Sequence, residues 1–142
     1  MDKNLYKKLL ESDNLTQNEI KKLLSPVEFI DTDAAFSSLK RLYDISQIKK
    51  IYLNLIPSLL NQLSNVASPD RALINFEHFI DRVDDKRKLV QLLTNEAHIL
   101  EMLIILFAGS QYLTEILLND PQYLEHIKNR KKLSQPKTIE QF

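Results

Sequence analysis

The chain has a single glycine, Gly109, which is followed directly by Ser110. A Gly-Ser pair can hold phosphate in a nucleotide-transfer site, and that chemistry also needs two carboxylates about ten residues further on to bind magnesium. Here the following segment carries Asp120 alone, and the next acid is Glu125. The alternative is that Gly109 ends one helix and Ser110 caps the next, which the helical pattern on both sides favours.

The histidines do not indicate a metal site. His78, His98 and His126 lie far apart in the sequence. His98 and Glu101 have the i, i+3 spacing that places two ligands on one helix face, but no further ligand from another helix is indicated. No serine lies in the strand–turn–helix elbow that nucleophilic catalysis uses. The sequence therefore predicts no catalytic, cofactor-binding or metal-binding residue in this chain.

Two charged clusters have simpler explanations than chemistry. Asp84 and Asp85 lie at a helix junction, where capping accounts for them better than acid–base catalysis does. A basic cluster lies in the last turn of a helix, where positive charge is favourable. Its members are Lys128, Arg130, Lys131 and Lys132. Because 19 basic residues balance 19 acidic ones, the chain lacks the basic excess of a nucleic-acid binder, and no nucleic-acid partner is predicted.

One polar stripe has the spacing of an interaction surface. Arg71, Asn75, His78 and Arg82 follow one another at steps of four, three and four residues, opposite an apolar stripe on the same helix. A solvated face is the simplest interpretation of such a stripe, but polar exposed faces also mark docking sites. These four residues are the candidate partner-contact face.

The composition predicts an all-α protein. The chain of 142 residues is 44% hydrophobic and 27% charged, with one glycine and five prolines, so it has little material for hairpins or glycine-rich loops. We expect about eight helices in an irregular bundle or stacked helical array. Residues 1–133 are predicted to form a single helical domain. Residues 134–142 are predicted to be a linker-like tail, because the periodicity is lost after Leu133.

Helix boundaries follow from caps and from apolar spacing. Thr16 and Glu19 have capping-box spacing, and either Asp31 or Asp33 caps the helix that follows. A long apolar pattern from Ser46 contains Pro57, which predicts a kink or a break near residues 53–54. The remaining predicted helices cover residues 3–12, 69–83 after a Ser68 cap, 85–94, 96–108, 111–119 and a last segment from Pro121.

No targeting signal is visible in this sequence. The first residues, MDKNLYKKLLESDN, carry scattered charges and no apolar core of the kind that a secretory signal has. The most apolar run, residues 99–108, is too short for a membrane span, which needs about 20 apolar residues. Cysteine is absent, which excludes disulfides and thiolate metal sites. We expect a cytoplasmic protein without a membrane partner.

An ordered series of motifs from residue 68 to residue 127 resembles a known family. The segment SPDRALINFEHF has the pattern P-x-R-A-L-x-N-x-E-x-F, and a leucine-rich helix after it ends in Phe107, Ala108, Gly109 and Ser110. A segment of the type LLndPqyL follows, from Leu117 to Leu124. Together these motifs resemble the N-terminal helical region of the bacterial glutamine synthetase adenylyltransferases (glutamate-ammonia-ligase adenylyltransferases).

The resemblance implies a place in nitrogen metabolism regulation. Members of this family transfer adenylyl groups from ATP to a tyrosine of glutamine synthetase, with magnesium and under control of a PII signalling protein. Their sites lie downstream, with a Gly-Ser turn and an Asp-x-Asp pair that this chain lacks. ATP and magnesium are therefore implied only for the downstream catalytic domain, and no enzymatic activity is predicted for this chain alone.

Two functional hypotheses follow. The first is a non-catalytic N-terminal domain of an adenylyltransferase-like protein, which packs on or positions the catalytic domain or its protein substrate. Its implied partners are the downstream transferase domain, glutamine synthetase or a PII-type regulator. The alternative is a stand-alone helical module for protein–protein interaction, without enzymatic activity. The sequence leaves open whether the chain is a fragment or a full natural protein.

Overall fold

The computed structural model describes Leu10 and residues 17–45 and 48–127, and every regular element in this part of the chain is a helix. The prediction of an all-α fold is confirmed. A further helical turn covers residues 123–127. The longer helices are α1 (Gln17–Leu24), α2 (Thr32–Tyr43), α3 (Lys49–Leu63), α4 (Pro69–Arg82), α5 (Lys86–Asn95), α6 (Ala97–Gly109) and α7 (Gln111–Asn119).

Within the described part of the chain, three helices begin at a side chain that accepts a hydrogen bond from a backbone N–H in the first turn. Such caps satisfy one of the four N–H groups that have no partner within a helix. The bonds run from Ala34 to Asp31 at α2 (3.0 Å), from Lys88 to Asp85 at α5 (3.0 Å) and from Leu113 to Ser110 at α7 (3.2 Å). Of the two candidate caps for α2, the structure selects Asp31.

The start of α4 differs from the expected cap. Ser68 occupies the N-cap position, but its side chain makes no capping hydrogen bond there. Asp70 instead binds a segment from elsewhere in the chain. Its two carboxylate oxygens accept from the backbone N–H groups of Ile30 (2.8 Å) and Asp31 (2.9 Å). The carboxylate therefore fastens the turn before α2 to the first turn of α4.

Helix α3 passes through Pro57 without a break. Of the expected kink or break near residues 53–54, the break is wrong, because the helix is continuous over all 15 of its residues, and the kink stays a prediction. Proline removes one backbone hydrogen bond, but helix stability in proteins comes mostly from tertiary packing. The buried side chains that hold this helix in place are Tyr52, Leu55, Ile56, Leu59, Leu60 and Leu63.

Helices α4 and α6 form the centre of the fold. They pack against each other more extensively than any other pair among the described residues. Helix α4 also contacts α2, α3 and α7, while α6 also contacts α3, α5 and α7. The rings of Phe79 on α4 and Phe107 on α6 lie 5.6 Å apart at a tilt of 55°, a favourable arrangement for aromatic pairs. Packing against α6 therefore holds α4 in a fixed position.

Some predictions lie outside the described residues. They are the body of the helix at 3–12, the Thr16 cap, the helix start at Ser46, the basic cluster from Lys128 to Lys132 and the tail at 134–142. Leu10 is the exception, and it is buried in the core. The domain boundary at residue 133 stays a prediction.

The most apolar helix, α6, is short. Among the described residues no single helix has both the length and the apolar character needed to cross a membrane. Only α5 and α6 taken together meet those two criteria, and the chain bends by 108° between them.

Candidate functional site

Three residues of the candidate partner-contact face bind the neighbouring helices. Asn75 is half-buried, and its Nδ2 donates to the backbone oxygen of Phe107 at 2.9 Å. Arg82 donates from Nη1 to the backbone oxygen of Leu118 at 3.2 Å. Arg71 donates from Nη2 to Oε1 of Gln111 at 2.7 Å. The stripe is therefore not simply solvated, since part of it joins α4 to α6 and α7.

Two of these bonds end at helix C-termini. The last four carbonyl groups of a helix have no intrahelical partner, and they carry a partial negative charge. Phe107 lies in the last turn of α6, and Leu118 lies in the last turn of α7. Asn75 and Arg82 satisfy these two carbonyls from outside. The polar side of α4 thus stabilises the ends of both helices.

His78 occupies a different environment from the other three residues. It is exposed, and it lines a shallow groove of about 400 Å³ between α2 and α4 together with Arg41 and Glu77. Arg41 donates to both carboxylate oxygens of Glu77, including a bond of 2.9 Å from Nη2 to Oε1. This bidentate pair ties α2 to α4 within the groove that His78 also lines.

Electrostatics favour the ionised form of Glu77. Its side chain is only 17% exposed, and this burial alone would raise its pKa. Hydrogen bonds with Arg41 and Ser38, and the positive charge of Arg41, outweigh the burial and lower the pKa of Glu77. Tyr52 lies in the same buried region, and burial raises the pKa of its hydroxyl. Among the described residues that hydroxyl has no hydrogen-bond partner.

The sequence interpretation missed Ile74. This residue lies between Arg71 and His78 on the surface of α4, and 45% of it is exposed. Tyr112, which follows Gln111 at the start of α7, is 74% exposed. Arg71, Ile74 and His78 are one helical turn apart and form what we name the exposed α4 face. The signal was present in the sequence, since Ile74 falls outside the apolar stripe that faces the core.

Gly109 and Ser110 form a helix junction. Helix α6 ends at Gly109, and the Ser110 hydroxyl is the N-cap of α7. The backbone N–H of Ser110 donates to the carbonyl of Leu106 at 2.8 Å. This confirms the interpretation of the pair as a helix end followed by a helix start. The backbone N–H, the backbone carbonyl and the hydroxyl oxygen of Ser110 therefore all have structural partners within the chain.

The remaining sequence candidates occupy separate places. Asp84 and Asp85 are both exposed, and Asp85 caps α5. Nε2 of His98 lies 3.9 Å from Oε1 of Glu96, so the acid beside His98 is Glu96 and not the predicted Glu101. The described residues include no group of three or more His, Cys, Asp or Glu side chains placed to hold a metal ion.

A concave surface lies where α4 ends and α5 begins. We name it the α4–α5 groove, and it has a volume of about 530 Å³. Residues from α4, from α5 and from the segment 120–125 line it. Its floor is apolar, with Leu89, Leu92 and Leu124, while charged side chains form the rim. Sequence reasoning did not find this groove, because its walls are distant in the chain.

Comparison with known proteins gives one consistent result. The enzyme of Corynebacterium glutamicum named bifunctional glutamine synthetase adenylyltransferase/adenylyl-removing enzyme is 25% identical over 114 residues, which cover 80% of this chain and 11% of that enzyme. The protein of the same name from Nocardia farcinica is 26% identical over 100 residues, which cover 70% of this chain and 10% of that protein. The Corynebacterium efficiens protein is 27% identical over 82 residues, or 58% of this chain.

These matches support the resemblance seen in the sequence, and they limit it to one part of the relatives' length. The chain spans about a tenth of the length of the curated relatives that it matches. It is therefore similar to one region of these adenylyltransferases. No protein-family model matches the chain. No solved structure matches it significantly.

Proposed function

We propose that this chain is a non-catalytic helical region of a glutamine synthetase adenylyltransferase-like protein. In that role it packs on, or positions, the catalytic domain or its protein substrate. The observation that carries the proposal is the match of 80% of this chain to 11% of such an enzyme.

The geometry at Gly109 and Ser110 supports a non-catalytic role. A phosphate-binding pair needs a free hydroxyl and free backbone N–H groups directed at the ligand. The two backbone N–H groups are instead used within the chain, since that of Ser110 donates to Leu106 and that of Leu113 donates to the Ser110 hydroxyl oxygen. The pair therefore joins two helices, as its neighbours in sequence already indicated.

The exposed α4 face supports docking. Ile74 presents an apolar side chain between Arg71 and His78, and a central apolar group with a polar surround is the arrangement that protein interfaces use. The bonds that Asn75 and Arg82 make to α6 and α7 fix the backbone behind this face. A rigid face loses little entropy when it binds, which favours affinity.

Adenylyl transfer tests the catalytic part of the proposal. The chain is incubated with labelled ATP, magnesium and purified glutamine synthetase, and label on the synthetase is measured. We expect no transfer by the chain alone, whereas the full-length Corynebacterium glutamicum enzyme serves as the positive control. Transfer of label by the chain alone, abolished when Ser110 is replaced by alanine, would contradict the proposal.

A further inference from the structure

The α4–α5 groove combines an apolar floor with a negative rim. The carboxylates on its lining are those of Asp84, Asp85, Asp120 and Glu125, and the cations are those of Arg82 and Lys88. Four negative groups thus face two positive ones, so the groove favours an occupant with positive charge and apolar side chains. The floor residues Leu89 and Leu124 are only 6% exposed, which gives the groove a well-packed base.

A segment of this same chain has the matching chemistry. Residues 128–142 lie outside the described part, and they start three positions after Glu125, the last residue that lines the groove. Five of these residues are lysine or arginine, and Glu140 is the only acid. The segment also carries three large apolar residues, Leu133, Ile139 and Phe142.

Chain length allows this segment to reach the groove. At roughly 3.3 Å per extended residue, the 15 residues span up to about 50 Å. This length is more than enough for the segment to fold back onto residues 120–125, which line the groove and shortly precede it in the chain. Because the segment is tethered beside the groove, its effective concentration there is high, and modest contacts are sufficient for occupancy.

We propose that residues 128–142 dock in the α4–α5 groove. Apolar side chains of the segment cover Leu89, Leu92 and Leu124, while its lysine and arginine side chains face Asp84 and Asp120. The inference is independent of the proposed adenylyltransferase role, since it rests on the charge and the apolar character of this chain alone.

A spin label on the full chain tests the docking. The chain has no cysteine, so Thr138→Cys provides a single attachment site for a nitroxide. We expect the methyl signals of Leu89, Leu92 and Leu124 to lose most of their NMR intensity when the nitroxide is in its paramagnetic, oxidised form. Val27 is not part of the groove lining, and its methyl signals should keep their intensity. Equal intensity at all four residues would overturn the proposal.

A mixed sample distinguishes this occupant from a second copy. Isotope-enriched chain without the label is mixed with unenriched chain that carries it. We expect no loss of signal in this mixture, because the segment docks on its own chain. Loss at the groove residues in the mixture would show that another copy supplies the segment, which contradicts the proposal as stated.

Charge reversal at the groove, compared with the same charge change elsewhere, tests the role of the rim carboxylates. The double variant Asp84→Lys and Asp120→Lys changes two exposed rim residues, and we expect it to remove most of the broadening at the groove. The double variant Glu28→Lys and Glu101→Lys makes the same charge change at exposed positions outside the groove lining, and it should leave the broadening unchanged. Broadening that persists in the first variant, or disappears equally in both, would refute the role of the rim.

Discussion

Gly109 is the last residue of α6, and its residue type alone does not explain its position there. A glycine at a helix end is often there because it adopts left-handed backbone angles. The described part of the chain has no residue with a positive φ, Gly109 included. The chain changes direction at Ser110, which has an extended backbone with φ of −122° and ψ of 100°. Gly109 is therefore the last residue of an ordinary helical turn.

This conformation predicts a stabilising substitution. A Cβ atom added at Gly109 would meet nothing within 4 Å, so Gly109→Ala introduces no clash. Alanine restricts the unfolded chain and is favoured in helices, so we expect the free energy of unfolding to rise by about 0.5–1 kcal/mol. Chemical denaturation measures the change. A decrease in stability would show that this position needs glycine for a reason that the helix junction does not supply.

Local hydrogen bonds at the residue scale could be predicted, and distant ones could not. The Ser110 and Asp85 caps act on backbone groups three residues away, so the sequence alone indicates them. The partner of Asn75 is 32 residues away, and that of Arg82 is 36 residues away. These partners depend on how the helices pack, which no spacing within α4 reveals.

At the scale of helices, carboxylates on α4 hold the N-terminal part of the fold. Asp70 binds the turn before α2, and Glu77 binds Arg41 on α2. The two contacts lie two helical turns apart on α4, so they fix the direction of α2 as well as its distance. Polar side chains thus supplement the apolar contacts between these helices.

The Glu77 contact predicts a dependence of stability on pH. Because the pKa of Glu77 is lower in the folded state than in the unfolded chain, its charge stabilises the fold above the unfolded value of about 4.3. That contribution is lost as the pH falls through the lowered folded pKa. We expect the stability advantage of the wild-type chain over Glu77→Gln to be full at neutral pH and to shrink steadily below about pH 4.

Denaturation of both chains across this pH range measures the difference. Other acidic groups titrate in both chains, so their effects cancel in the comparison. A difference that stays constant with pH, or grows in acid, would contradict the assignment of the stabilising charge to Glu77.

Element boundaries were largely readable from the sequence, with one exception. Apolar spacing and caps place α4, α5, α6 and α7 within a residue or so of their observed limits. The exception is Pro57, where the local rule predicted a kink or a break and α3 continues without a break. Local preference was overridden there by burial, which depends on helices distant in the chain.

At the scale of the whole molecule, the two sides of α4 have different structural roles. Its apolar side packs on α6, and its polar side holds the ends of α6 and α7. The exposed α4 face of Arg71, Ile74 and His78 is the part of this helix that a partner can reach, although Arg71 also donates to Gln111 on α7. The sequence indicated this helix as the interaction element, but only the packing shows which of its residues face outward. The partner-contact role itself stays a prediction.

Binding to the remainder of an adenylyltransferase tests the central claim most directly. Calorimetry measures the affinity of this chain for glutamine synthetase and for the part of the Corynebacterium glutamicum enzyme outside the matched region. We predict binding to one of these proteins, with at least a tenfold loss in Ile74→Asp because a central apolar contact is replaced by a charge. Ile105→Asp, at an isoleucine that is 57% exposed on α6, is the matched control and should bind normally. Absence of binding to both proteins, or equal losses in the two variants, would contradict the account.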